Sequence, residues 1–211
     1  MSEYKDYGYK IANNDHTESY LVDNILSLLD KNKNKLILDV GCGNGWLTAI
    51  LIQKGFDVYG TDASESGITI ANERKECEDK KRFFVQDLST DNLPSEILNL
   101  KFDTIISTEV IEHLYDPRKY ISFCKQILQK NEGGEILITT PYHGYLKNVL
   151  LSLTGKMDAH FTALWDGGHI KFWSKKTLTS LLEEAGFKVT NFIGCGRLPF
   201  LWKSMLVKAK I

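Results

Sequence analysis

Short aliphatic runs alternate along this chain with stretches whose apolar residues fall three and four apart. The runs Leu36 to Val40, Asp57 to Thr61, Lys81 to Gln86, Lys101 to Ser107 and Glu135 to Thr140 are too short for helices, and their β-branched, apolar content predicts buried strands. Two more, Phe187 to Ile193 and Leu201 to Ala209, close the chain. Between them, Leu21, Ile25, Leu28 and Leu29 predict an amphipathic helix over Thr17 to Asp30. Trp46 begins a second helix, stopped by Gly55, and Ser64 to Glu76 reads as a third. Asp116-Pro117 opens a fourth, with Tyr120, Ile121, Phe123, Cys124, Ile127 and Leu128 as its buried stripe. Ser174 caps a further helix, Lys175 to Ala185, stopped by Gly186. Strands alternating with helices predict an α/β fold around a parallel sheet.

Composition leaves that picture intact. A length of 211 residues suits one domain, 1–211, with an N-terminal arm and helix over 1–34. A formal net charge of −1 argues against general affinity for nucleic acid or an anionic membrane. Four cysteines without a C-x-x-C pair suggest reduced thiols in the cytoplasm rather than a disulfide frame or zinc knuckle. No leader peptide is evident in Met1 to Lys10, and no apolar run suits a membrane span.

The first chemistry stands at the end of the first strand. In Asp39-Val40-Gly41-Cys42-Gly43-Asn44-Gly45, three glycines alternate before a helix, a strand-turn-helix cradle whose amides face a ligand. Trp46 occupies the sixth place of a G-x-G-x-x-G/A pattern, where a small residue is needed, so the dinucleotide fingerprint fails. Gly155-Lys156 is followed by Met157, so no phosphate loop of the G-K-[ST] type is present. Asp62, some twenty residues past the turn, is placed to accept hydrogen bonds from both ribose hydroxyls or to cap the following helix.

The segment D-x-G-x-G-x-G resembles motif I of the class I S-adenosylmethionine-dependent methyltransferases. The resemblance implies a Rossmann-like seven-stranded sheet with helices on both faces, the last strand antiparallel. It implies S-adenosyl-L-methionine as cofactor, held by Asp39, Gly41, Cys42, Gly43, Asn44, Gly45, Asp62, Ala63, Gln86, Asp87, Leu88 and Thr108. Asp87 matches the acid that binds the adenine amino group in the family. The ending L-L-x-x-A-G-F before two strands resembles the family's C-terminal hairpin. The arm around Tyr4, Tyr7 and Tyr9 is either loosely packed or folds over cofactor or substrate, as in related methyltransferases.

If Thr108 to Leu114 is helical, Glu109, Glu112 and His113 share one face, opposite Val110, Ile111 and Leu114. Two carboxylates and an imidazole either make His113 a general base, with Glu109 beside it, or hold a divalent cation. The string E-V-I-E-H-L resembles the ubiquinone-pathway O-methyltransferase-like branch (types 11 and 23) and the small-RNA 2′-O-methyltransferase. The second resemblance implies a magnesium or zinc site at Glu109, Glu112, His113 and His169. After the fifth strand, residues 142–173 carry an unusual density of rings and histidines, which reads as a lid over the acceptor or as an insertion packing on itself and a partner subunit. Tyr142, His143, His160 and Trp165 are its candidate substrate contacts. A helix near Lys147 to Leu153 would present Leu146, Val149, Leu150 and Leu153 to a dimer partner or an apolar acceptor.

The expected activity is methyl transfer to a small-molecule hydroxyl, phenolic or vicinal, by a monomer or homodimer. Methylation of RNA by the metal-dependent route, and a cofactor-binding partner without activity, are the alternatives.

Overall fold

The computed structural model describes residues 8–9, 20–77, 79–87, 92–165 and 167–211. Strands β1 (Leu36–Val40), β2 (Asp57–Asp62), β3 (Phe83–Val85), β4 (Thr104–Thr108), β5 (Glu135–Pro141), β6 (Lys188–Cys195) and β7 (Ser204–Lys210) form one sheet. Its order is β3-β2-β1-β4-β5-β7-β6, and β7 runs antiparallel to both neighbours. The expected α/β sheet with an antiparallel last strand is therefore present.

Helices cover both faces, and the alternation along each strand decides which. On one face Ile37, Ile106, Leu137 and Leu206 pack with α1 (Val22–Leu28) and α2 (Trp46–Gln53) through Ile25, Leu47 and Leu51. On the other, Leu38, Ile105, Ile136 and Val207 meet α4 (Pro117–Gln129) and α7 (Lys175–Glu184). Ile105 and Ile106 are fully buried, so cutting either to alanine costs about 2–5 kcal/mol. α3 (Glu65–Asn72) packs through Ile68 and Ala71 on Phe83 and on Ala49 of α2.

Local signals set the helix starts. Ser64 Oγ accepts the Gly67 amide, so Ser64 rather than Asp62 caps α3. Asp116 accepts the Lys119 amide ahead of Pro117, and Ser174 and Thr177 form a capping box on α7. α1 is shorter than expected, and residues 10–19 of the predicted arm and helix lie outside the described part. β3 and β4 start two and three residues late, and β7 starts at Ser204 rather than Leu201. Within 142–173 stand α5 (Tyr145–Leu153), near the place expected, and α6 (Met157–Phe161), which apolar spacing did not signal.

The condition that would put Glu109, Glu112 and His113 on one face, a helix over Thr108 to Leu114, is not met. β4 ends at Thr108, Glu109 takes a left-handed φ of 54°, and a single 3-10 turn, Ile111–His113, follows. The Glu109 amide is already bonded to the Thr139 carbonyl and hydroxyl of the neighbouring strand, which keeps the chain extended to that point.

No helix among the described residues is long and apolar enough to cross a membrane. All four cysteines are buried and free.

Candidate active site

The strand order reverses between β1 and β4, which opens a crevice at the carboxyl ends of the strands, where open α/β sheets bind ligands. The glycine loop lines it. Gly41 (φ 81°) cannot carry a side chain, because a Cβ there would overlap Val110, and a Cβ on Gly43 (φ 54°) would stand 2.5 Å from the Tyr9 hydroxyl. Tyr9 is the one arm tyrosine described. It reaches the loop, and its amide donates to Ser66 Oγ. Gly45 (φ 73°) leads straight into α2.

Asp62 organises this loop. One carboxylate oxygen accepts the Gly43 amide at 2.8 Å and the other the Ser64 amide at 2.7 Å. Asp39 is buried, bonded to the Thr48 hydroxyl, and burial with Asp62 nearby pushes its carboxyl up to about 7. Cys42 turns inward beside Gly60 and Phe83, so its contribution to the crevice is backbone. Asn44 is also buried; its carbonyl accepts Arg74 Nε. Ala63 follows β2 directly, Gln86 and Asp87 follow β3, and Leu88 lies outside the described residues.

Three buried polar atoms around this crevice have no partner among the described residues: Asp39 Oδ1, Gln86 Oε1 and Thr108 Oγ1. Unmet acceptors at the ends of β1, β3 and β4 cost free energy unless a ligand's donors meet them. With the side-chain-free loop and the Asp62 carboxylate, they fit a nucleoside with ribose hydroxyls and an amino group.

The four acidic and imidazole residues of the proposed metal set divide. Ligand atoms of Glu112, His113 and His169 lie within 4.8 Å of one another, and the two rings meet at 5.0 Å between centroids. Glu109 is not with them. Its carboxylate turns to Thr139 and Ser204. Glu112 is buried; Thr140 donates to one oxygen and the other has no partner among the described residues. Burial, and then Glu109, push its carboxyl well up. Burial lowers His113, against hydrogen bonds that its ring donates to the backbone of Gly168 and Gly167, and brings His169 to about 4 with His113 and His160 adding. One carboxylate and two neutral imidazoles suit a borderline cation such as zinc better than magnesium. Burial raises Glu109 itself to about 7 against the Thr139 and Ser204 hydrogen bonds.

The candidate substrate residues also separate. Trp165 packs beside His113 and His169, 6.4 and 6.2 Å away between ring centroids. His143 stacks on Phe161 and meets His160 and Phe172, with both ring nitrogens unpartnered among the described residues. Tyr142 is buried and packs edge to face on Trp202, 5.0 Å away between ring centroids.

A cleft of about 490 Å³ lies between α5 and the β6–β7 turn. Leu150, Leu151, Leu198 and Leu201 wall it, with Lys147 and Arg197 as its cations. Lys147 is buried, donating to the Tyr142 carbonyl, and burial with Arg197 nearby lowers it to about 8. α5 has thus turned Lys147 inward and left Leu146, Leu150 and Leu153 exposed. Apolar spacing cannot announce a buried lysine, and the hydroxyls of Tyr20, Thr139 and Ser204 around Glu109 stand in no motif.

A family model described as a methyltransferase domain matches residues 14–191. The human mitochondrial ubiquinone biosynthesis O-methyltransferase is 30% identical over 199 residues, 89% of this chain and 52% of that protein. The ubiquinone biosynthesis O-methyltransferase of Dinoroseobacter shibae is 30% identical over 160 residues, 74% of this chain and 61% of that protein. This chain thus spans about half to three fifths of the length of these relatives. Among solved structures, the magnesium protoporphyrin IX methyltransferase of Synechocystis with bound SAH is 22% identical, with a TM-score of 0.66 over 92% of this chain and 83% of that one. A protein of Pyrococcus horikoshii is 20% identical, with a TM-score of 0.69 over 95% and 93%.

Proposed function

The chain belongs to the methyltransferase-domain family, and we propose that it transfers a methyl group from S-adenosylmethionine to a hydroxyl oxygen of a small-molecule acceptor. The observation that carries this reading is the glycine loop closed by Asp62, with Asp39, Gln86 and Thr108 presenting unmet acceptors around it. Gly41, Gly43 and Asn44 offer backbone, Asp62 takes the ribose hydroxyls, and Asp87 with Gln86 reads the adenine edge. When bound, the cofactor supplies an electrophilic methyl on a sulfonium.

The chain's own task is then to hold an acceptor oxygen in line and remove its proton. Glu109, at the end of β4, is the proton acceptor: a carboxyl near 7 is poised for that work at neutral pH. His113, neutral at that pH, stands next in line. Glu112, His113 and His169 fit a divalent cation, which would polarise a vicinal hydroxyl of the acceptor. The leucine-walled cleft admits an apolar or ring-bearing body, and His160, which lines it, packs against His143. The relatives named for ubiquinone biosynthesis support a phenolic acceptor. The net charge of −1 works against RNA. The enzyme works in the cytoplasm as a monomer or homodimer.

The test is calorimetry with S-adenosylhomocysteine. Micromolar binding supports the reading, and no heat at millimolar ligand on folded protein would overturn it.

A further inference from the structure

Glu109 is held more tightly than a proton acceptor on a loop needs to be. Its left-handed φ of 54° costs a non-glycine residue about 1–2 kcal/mol. The backbone is clamped by the Thr139 carbonyl and hydroxyl, each 3.1 Å from its amide. Thr139 Oγ1 donates to one carboxylate oxygen at 2.9 Å, and Ser204 Oγ donates to the other at 3.2 Å.

A serine hydroxyl has one proton. With that proton on Glu109, Ser204 can only accept in its 2.9 Å contact with the Tyr20 hydroxyl, so Tyr20 is the donor. The chain therefore runs in one direction, from Tyr20 through Ser204 to Glu109. Tyr20 is itself seated: Lys203 Nζ lies 5.2 Å from its ring centre, and Gly196 leaves room at its edge, where a Cβ would stand 3.0 Å away. Strands β4, β5 and β7 and the segment entering α1 thus converge on one carboxylate through hydroxyls that no motif in the sequence marks.

We propose that Tyr20 and Ser204 are positioning residues for Glu109, a hydroxyl relay that aims its carboxylate at the acceptor oxygen. The proposal rests on the reading of Glu109 as the proton acceptor. Tyr20 touches neither acceptor nor cofactor in this account; it acts through Ser204. Polarisation along the chain makes the pair behave as one device.

The experiment uses Tyr20→Phe, Ser204→Ala, the double variant, Ser204→Thr and Glu109→Gln in the full chain. Methyl transfer is followed with 3,4-dihydroxybenzoate as the probe acceptor. Losing the hydrogen bond to the Glu109 carboxylate predicts a fall in kcat of about 10- to 100-fold for Ser204→Ala, and losing the neutral bond between Tyr20 and Ser204 a fall of about 2- to 10-fold for Tyr20→Phe. KM for the probe and the Kd for S-adenosylhomocysteine should stay within twofold of wild type, by rough allowance for assay error. The double variant should lose no more than the worse single one, and Ser204→Thr should restore most of the rate. Unchanged kcat in both single variants, with Glu109→Gln inactive, overturns the relay and leaves the base assignment standing. Wild-type rates in Glu109→Gln overturn the base assignment, and the relay with it. A readout free of any acceptor is the Tyr20 ring-carbon resonance in protein carrying 13C-tyrosine. It should move in both Ser204→Ala and Glu109→Gln, and a resonance fixed in both overturns the relay.

Discussion

Replacing Asp62 by asparagine is the sharpest perturbation of the cofactor site, because the change is isosteric and removes only a charge and one acceptor. In the wild type each carboxylate oxygen serves one backbone amide, Gly43 at 2.8 Å and Ser64 at 2.7 Å. Asparagine has one carbonyl oxygen for the two amides, so its own NH2 must face one of them, donor against donor. The loop loses about 1–3 kcal/mol on that account alone. The ribose hydroxyls then lose a charged acceptor, worth about 1.5–3 kcal/mol per hydrogen bond. Together these sum to about 2.5–6 kcal/mol and predict that S-adenosylhomocysteine binds at least about 60-fold more weakly to Asp62→Asn, at about 1.4 kcal/mol per tenfold. Titration calorimetry on both proteins measures this, with thermal unfolding to show that the variant is folded. A Kd within about fivefold of wild type, a difference of only about 1 kcal/mol, would refute the argument that Asp62 both shapes the loop and binds the ribose.

Two further predictions concern other parts of the molecule. Zinc should bind the wild-type chain in a separate isotherm that is lost in Glu112→Ala and in His169→Ala but kept in Glu109→Gln, because Glu109 faces away from the cluster. An isotherm unchanged in Glu112→Ala would remove the cation site. At the opposite end of the sheet, burial works to raise Glu135, but Lys208, Lys210 and Asn34 outweigh it and hold the carboxyl at about 2. A folded value below the unfolded one, about 4.5, means this stabilisation is present above pH 4.5 and lost as pH falls toward 2. Glu135→Gln should therefore cost about 3 kcal/mol at pH 7, a drop in melting temperature of about 6–12 °C, and much less at pH 3. An equal cost at both pH values would contradict it.

The fold was legible where burial on both faces or a covalent peculiarity of one residue dictates structure. β1 read directly because a central strand buried on both faces is mostly apolar, and the glycine loop because Gly41 has Val110 where a side chain would be. The Ser64, Asp116 and Ser174 caps are likewise local. The site beyond β4 was less legible because tertiary contacts decide it. Apolar spacing in Val110, Ile111 and Leu114 suggests a helix, yet the Thr139 clamp, thirty positions away in sequence, keeps Glu109 out of one. That geometry separates Glu109 from Glu112 and His113, which helical spacing had put on one face. α5 shows the same limit. Its leucines read as a face for a dimer partner or an apolar acceptor, and Leu146, Leu150 and Leu153 are exposed, but nothing in the spacing announces that Lys147 is buried with its ammonium on the Tyr142 carbonyl. The Tyr20 contact to Ser204 spans 184 positions between two unremarkable hydroxyls.

The most direct measurement is transfer of the methyl group itself. The protein is incubated with S-adenosylmethionine carrying a 13C-methyl group and a panel of catechols, monophenols and a single-stranded RNA, and the products are examined by NMR. The account predicts an O-linked 13C-methyl on a catechol, in step with S-adenosylhomocysteine formation and abolished in Asp62→Asn at low cofactor. Label on RNA alone, or no label on any acceptor from protein that binds S-adenosylhomocysteine, would contradict it.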